Sequence, residues 1–275
     1  MKNLIKTVLK IIIIAVLVVA VFKGYNALVP TISSNLSITA RTSAEQHFTA
    51  HRGLSAVAPE NTAPSIEEAG KKGYYAAEFD IRPTKDGVWV LMHDDTVDRM
   101  TDGEGLVSDF TYAEIMELTV DAGNGIKNYS DLKISTLEEA LDICEKYSMR
   151  AMIEIKGGEP DDMADVLEII SSKNLSVEPL IIDFSSERIE KIRSLDEKIE
   201  LWYLVSKVGD GEIEFAAENS TAIAFKFAHL PNLLKVNDAR DAGVICAAWT
   251  VDYLPLADIL TAFGVKYVTT NRILP

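Results

Sequence analysis

The sequence predicts an α/β protein built as a (β/α)8 TIM barrel, with an insertion after the second strand and an N-terminal transmembrane helix ahead of the barrel. Three observations point there. From Phe48 onward, short apolar and β-branched runs alternate with segments of helical period, the pattern of βαβ units around a parallel sheet. The strand-like runs number eight, as a closed barrel requires. Gly73, Gly243 and Gly264 each follow a helical segment, where a left-handed C-cap residue belongs.

The first 44 residues stand apart from the rest. They hold Lys2, Lys6, Lys10, Lys23 and Arg41 and no acid, which leaves 22 basic and 42 acidic residues over 45–275, a net charge of −20. So acidic a body repels nucleic acids and anionic surfaces, which excludes DNA or RNA as an expected partner. A small phosphate substrate remains compatible, because a local cation and one Arg or Lys reverse the field inside a cleft.

Residues 11–22 form an unbroken apolar run of 12, flanked by Lys10 and Lys23. A spanning helix wants about 20 apolar residues, a length reached if Lys6 and Lys10 snorkel toward the headgroups. A secretory signal peptide is the rival reading and a buried core helix the third. An apolar core of about 7 to 15 residues suits a signal, but Val18-Val19-Ala20 is a marginal cleavage site. The lysines before the run orient the N-terminus to the cytoplasm and the body outward. Residues 1–29 are thus expected to be a membrane anchor or signal peptide, 30–44 a linker, and 45–275 one catalytic domain. The matching location is the cell membrane, single-pass with an extracytoplasmic domain, or secretion if the leader is cleaved.

Within the body, strands are expected at 48–50, 76–81, 151–155, 180–184, 199–205, 222–227, 244–250 and 267–269. Helices are expected at 63–72, 137–147, 161–173, 186–195, 210–218, 233–242 and 255–263. After the second strand, Asp86-Gly87 between two strand-like runs reads as a hairpin turn. Residues 94–133 then form an insertion without a helix, placed where a barrel carries its catalytic loops. Cys144 and Cys246 sit in apolar stretches without metal-ligand spacing and read as buried free thiols.

The chemistry-bearing residues fall at strand ends. His51-Arg52-Gly53 follows the first strand, and His93 ends the hairpin, so two of the four histidines are expected at the barrel mouth. Two imidazoles can serve as general acid and base in one displacement at phosphorus. Glu78 and Asp80 at i and i+2 share one side of the second strand. Such a pair needs a cation or a proton. Glu154 and Lys156 repeat that spacing on the third strand. Three carboxylates suit Mg²⁺ or Ca²⁺, leaving Lys156 for a phosphate oxygen, while simple ion pairing of Glu154 with Lys156 is the plainer reading. Pro59-Glu60-Asn61-Thr62 opens the first helix, where Asn61 or Thr62 is a possible N-cap. Trp249 is a pocket wall or a core aromatic.

These residues together resemble the glycerophosphodiester phosphodiesterases over 48–272. The resemblance runs through His51-Arg52-Gly53, Pro59-Glu60-Asn61-Thr62, Glu78-Phe79-Asp80, His93-Asp94 with Asp98-Arg99, and Gly103-Glu104-Gly105. It continues through residues 134–139, Glu154-Ile155-Lys156 and Trp249-Thr250-Val251. It implies a (β/α)8 barrel whose insertion is the family's characteristic segment. It also implies His51 and His93 as the acid/base pair, Glu78, Asp80 and Glu154 as ligands of Mg²⁺ or Ca²⁺, Arg52 and Lys156 at the phosphate, and Trp249 near the glycerol. Three departures stand out: Asp252 where Asn is usual, Ser135 for a common Pro, and Asn271-Arg272 for the usual Asp-Arg-Pro. The expected activity is hydrolysis of a small-molecule or lipid-derived phosphodiester to glycerol 3-phosphate and an alcohol. The alternatives are a lysophospholipase D-type or glycerol-phosphate polymer (teichoic acid) phosphodiesterase, and a catalytically inactive membrane-tethered binding module.

Overall fold

The structure, a computed structural model, describes residues 39–40 and 46–275. The anchor or signal expected over 1–29, and the linker over 30–44 apart from Thr39 and Ala40, lie outside the described residues. Among the described residues no helix is long and apolar enough to cross a membrane. Thr39–Ala40 pairs in parallel with Ile273–Leu274.

The body is a closed barrel of eight parallel strands. These are β1 (His47–Ala50), β2 (Ala76–Pro83), β3 (Arg150–Ile155), β4 (Leu180–Asp183), β5 (Glu200–Val205), β6 (Ala222–Lys226), β7 (Cys246–Trp249) and β8 (Tyr267–Thr270). Each pairs with the next, and β1 pairs with both β8 and β2, so no edge is left open. Outside lie α1 (Ala63–Lys71), α2 (Leu137–Lys146), α3 (Met163–Ser172), α4 (Ser186–Leu195), α5 (Asp210–Glu218), α6 (Asn232–Asp241) and α7 (Leu254–Ala262).

Every expected strand and helix is present, with ends displaced by local bonding. Val244, expected in β7, instead closes α6 through an N–H bond to Ala239 O. Pro160–Asp162 is a 3-10 turn ahead of α3. The insertion is less bare than expected. It contains a one-turn helix, Tyr112–Ile115, capped by Thr111, and 3-10 turns at Val107–Asp109 and Ile126–Asn128. Such turns are too short to show a helical period in sequence.

Strand alternation builds two apolar layers. Outward side chains such as Phe48, Phe79, Ile81, Ile153 and Phe225 pack against the helices, fully buried. Inward side chains Met152, Leu180, Ile182, Trp202 and Leu204 face the small Ala76, Ala222, Ala224 and Ala247 and fill the lumen. The N-terminal end of the barrel is plugged by His47 packed between Tyr75 and Tyr267, with centroids 4.6 and 4.9 Å away. The insertion has a core of its own, Val90, Met92, Val97, Met100, Val107, Ile115, Val120 and Ile134. It is anchored by a hairpin: Trp89–Leu91 runs antiparallel to β2 after the Asp86-Gly87 turn, where Gly87 has φ +84°.

After β1 the chain reverses in a tight turn in which Arg52 and Gly53 both take left-handed φ, +56° and +72°. A Cβ on Gly53 would stand 2.3 Å from Ser65 Oγ and 2.6 Å from its carbonyl carbon. Gly53→Ala is therefore expected to cost about 2–4 kcal/mol, left-handed strain and overpacking together. Urea unfolding with and without the substitution measures it.

Candidate active site

β2 and β3 run in register with Asp80 opposite Glu154 and Glu78 opposite Met152. Alternation points Glu78, Asp80 and Glu154 into the lumen near its C-terminal mouth, and one oxygen from each lies within 4.8 Å of the others. All three are buried. One oxygen of Glu78 and one of Asp80 is spoken for: Arg52 N–H donates to Glu78 Oε2 at 2.7 Å and Asn61 Nδ2 to Asp80 Oδ2 at 2.8 Å. Glu78 Oε1 and Asp80 Oδ1 are buried without a hydrogen-bond partner, and Glu154 Oε1, equally buried, meets Lys156 Nζ. Three hard, acceptor-only oxygens gathered this closely fit a hard divalent cation.

The electrostatics agree. Burial, then the neighbouring carboxylates, push the Glu78 carboxyl well above its usual range. Burial and Asp80 push Glu154 up to about 7. Burial acts on Asp80 in the same direction, but Lys156 and Arg52 outweigh it and hold that carboxyl below its ordinary value. Without a cation the cluster keeps protons that a cation must displace.

The two imidazoles stand on separate supports. His51, at the end of β1, has Nδ1 2.8 Å from Asn271 Oδ1. Removal from water, with Arg52 beside it, lowers its pKa from 6.5. His93 closes the hairpin, with Nδ1 2.7 Å from Asp94 Oδ1. Arg82, one further inward position along β2, donates from Nε and Nη2 to His93 O at 3.2 and 3.0 Å and pins that backbone. Asp94 also accepts from Arg99 Nε, and that bond is the main reason its carboxyl falls to about 2. Arg99 reaches on to Glu60 Oε1 at 2.7 Å, and Arg52 Nη1 meets the same oxygen at 2.7 Å.

Arg52 Nε lies 3.5 Å from Asp80 Oδ2. Lys156 Nζ makes an ion pair with Glu154 Oε1 and lies 3.5 Å from Asp80 Oδ1. The plain ion-pair reading of Glu154 and Lys156 therefore holds together with the clustering of the carboxylates. All the expected site residues except Asp80 line one cleft of about 600 Å³, open to solvent. Asp80 lies immediately behind it through its contacts to Arg52 and Lys156. The opposite wall is apolar. Trp249 forms it with Phe184, their rings edge-to-face at 5.7 Å, and Trp249 Nε1 donates to Ala224 O at 2.9 Å. Trp249 is thus a pocket wall.

Of the two candidate caps, Thr62 occupies the N-cap of α1. Asn61, held at φ +55°, turns inward and also accepts from Asp80 N–H at 3.0 Å. Arg82, Asn271 and the supporting role of Asp252 are not evident from spacing. Arg82 had a usable signal, since it continues the inward positions of Glu78 and Asp80. Asn271 and Asp252 meet only through the pairing of β7 with β8.

A closed parallel barrel with three buried carboxylates, two imidazoles and two cationic side chains at its C-terminal mouth has the groups of a phosphodiester-cleaving site. A family model of the glycerophosphoryl diester phosphodiesterase family matches residues 51–274, and the chain belongs to that family. It is similar to glycerophosphodiester phosphodiesterase 1 of Mus musculus, 37% identical over 181 residues, 61% of this chain and 53% of the relative. The chain thus spans about half the length of the mammalian relatives it matches. A glycerophosphodiester phosphodiesterase of Caldanaerobacter subterraneus is 31% identical over 227 residues, 81% of this chain and 92% of the relative. Among solved structures, a phosphodiesterase of Oleispira antarctica in complex with the product sn-glycerol-3-phosphate superposes with TM-score 0.78 at 28% identity, covering 82% of this chain and 93% of that one.

The raised Glu154 carboxyl sets a pH dependence. It is largely protonated below about 7, so a cation must displace the Glu154 proton there and need not displace that proton above it. Affinity for Mg²⁺ or Ca²⁺ is expected to climb as pH rises through 7, with proton release larger at the acid side. Calorimetric titrations in buffers of different ionisation enthalpy read both quantities, and Glu154→Gln is expected to flatten the step.

Proposed function

We propose that the protein hydrolyses glycerophosphodiesters to glycerol 3-phosphate and an alcohol, with a divalent cation at Glu78, Asp80 and Glu154 and with His51 and His93 as proton carriers. The observation that carries this reading is the single cleft in which both imidazoles, Arg52 and Lys156 meet the edge of the carboxylate cluster. The product bound to the Oleispira relative supports the choice of substrate. A cation bound at the three carboxylates supplies positive charge against the phosphoryl oxygens.

The remaining work falls to the chain's own groups. Arg52 and Lys156 meet the diester oxygens and the charge that grows on them in the transition state. His51, kept neutral by removal from water and by Arg52, takes the proton of the nucleophile, a water or the adjacent glycerol hydroxyl. His93, oriented by the Asp94 carboxylate behind it, gives a proton to the departing alcohol. Trp249 and Phe184 offer an apolar wall to the glycerol carbons or to the alcohol.

That wall favours one second reading. Phe184 is 44% exposed at the rim, an apolar surface suited to the chain of a lysophospholipid. If residues 11–22 anchor the protein, such a substrate is also the one within reach, with the domain displayed outside the cell. Membrane fractionation and protease accessibility of the full chain test that placement.

The deciding assay is release of glycerol 3-phosphate from glycerophosphocholine by the full chain, with Mg²⁺, with Ca²⁺ and with chelator. His51→Ala and His93→Ala are each expected to lower kcat by roughly 10²- to 10⁴-fold, and Glu78→Gln to abolish cation dependence. Release only from lysophospholipids transfers the proposal to the second reading, and no release from either overturns it. Because His51 must be unprotonated, activity at saturating cation rises with pH through its pKa. The acid limb of kcat/KM is therefore expected below 6.5.

A further inference from the structure

His51 is backed by an amide rather than a carboxylate, and the amide is itself held by a carboxylate. Asp252 Oδ1 accepts Asn271 N–H at 2.7 Å and Thr270 Oγ1 at 3.0 Å, and its Oδ2 lies 2.6 Å from Asn271 Nδ2. An amide can be placed either way round, and only the bonding network decides. Here the network decides it. Asp252 is the acceptor for three converging donors, so the amide nitrogen of Asn271 must face it. Asn271 Oδ1 must then face His51, where Ser55 Oγ also donates to it at 3.2 Å. A carbonyl oxygen can only accept, so His51 Nδ1 must carry the hydrogen in that 2.8 Å bond. The ring's other nitrogen, Nε2, is left bare, and His51 lines the cleft.

We infer that Asp252 and Asn271 form a two-residue relay that fixes the tautomer of His51, with Asp252 as a positioning residue acting through the Asn271 amide. This rests on the reading of His51 as a proton acceptor in diester hydrolysis. The relay explains why a carboxylate with no reach to the cleft is tied down by three donors. It also separates the two histidines: His93 meets its carboxylate directly, whereas His51 meets one through an intervening amide.

The test exchanges the two groups. In Asp252→Asn the backbone N–H of Asn271 still requires an oxygen at the Oδ1 position, so the new amide nitrogen occupies the Oδ2 position and faces Asn271 Nδ2. Two donors cannot share that contact. Asn271 must turn over, present Nδ2 to His51 Nδ1, and drive the hydrogen to Nε2. In the double exchange D252N/N271D, a carboxylate stands beside His51 and accepts from Nδ1 and from the new amide at 252, which restores the Nδ1–H form. The expected kinetic result is a fall in kcat of roughly 100-fold for D252N. KM is expected to stay within about twofold, and most of the rate to return in the double exchange.

The second readout does not depend on turnover. The ¹⁵N shifts of the His51 ring, taken with the ring neutral, distinguish a protonated Nδ1 in the parent and the double exchange from a protonated Nε2 in D252N. If D252N keeps the Nδ1–H form, or if the double exchange is as slow as the single one while folded, the relay is wrong. If no diester is hydrolysed at all, the proposed reaction fails while the ring shifts still decide the relay.

Discussion

Three carboxyl groups with an oxygen apiece inside 4.8 Å, on adjacent strands and out of water, set the terms for the rest of the barrel mouth. Such groups repel one another and lose hydration together, so the fold must supply compensation at fixed positions. It does so unequally. Asp80 receives Asn61, Arg52 and Lys156 and stays below its ordinary pKa, while Glu78 and Glu154 are pushed up. The left-handed backbone at Arg52 and Asn61 follows from the same need. Each places a donor on a carboxylate oxygen that would otherwise be bare: the Arg52 N–H on Glu78, the Asn61 amide on Asp80. The strain of two non-glycine residues at positive φ is the local cost of aiming those donors.

Parallel pairing makes the cluster possible. Register fixes Asp80 beside Glu154, and a one-residue slip of β2 would send Glu78 and Asp80 out among the apolar side chains that meet the helices. The insertion solves a different problem. His93 must approach the mouth from outside the strand set, so it rides on a hairpin extending β2 and on a segment with its own core. The polar contacts that join it to the barrel run His93, Asp94, Arg99, Glu60, Arg52, and those of Arg99 are nearly half exposed. Pairs of that kind contribute little stability one by one. Their effect is geometric: one Glu60 oxygen holds two guanidinium groups, so Arg52 and the insertion share one anchor.

The barrel was legible in the sequence because both of its periodicities are strong. Inward and outward positions alternate along β2 as Glu78-Phe79-Asp80-Ile81, and helices are followed by glycines at positive φ, Gly73, Gly243 and Gly264. The chemistry-bearing residues were legible because titratable groups at strand ends have little structural reason to be there. What stayed hidden depends on contacts between distant segments. Asn61 and Thr62 compete for one cap by sequence, and only the proximity of β2 decides that Asn61 turns inward. The one-turn helix at Tyr112–Ile115 is too short for its period to register. Asp252 and Asn271 lie on different strand ends, and their relation to His51 arises from β8 pairing with β1.

Under the proposed function, the acidity of the body bears on which diesters the cleft accepts. Over 45–275 the net charge is −20, so an incoming anion meets repulsion at distances set by the Debye length, about 8 Å at physiological ionic strength. Attraction must come from groups that act only at contact. In the proposed reaction Arg52 and Lys156 are those groups, and each is already engaged with carboxylates of the cluster. A cation among those carboxylates would offset the negative charge that now holds the two side chains, freeing their donors for a phosphoryl group. Binding of cation and of diester are on this view cooperative. A substrate carrying one negative charge gains the local contacts against a modest long-range penalty. A polyanion incurs the penalty along its whole length and gains the contacts once, which disfavours extended phosphate polymers more strongly at low salt than at high salt.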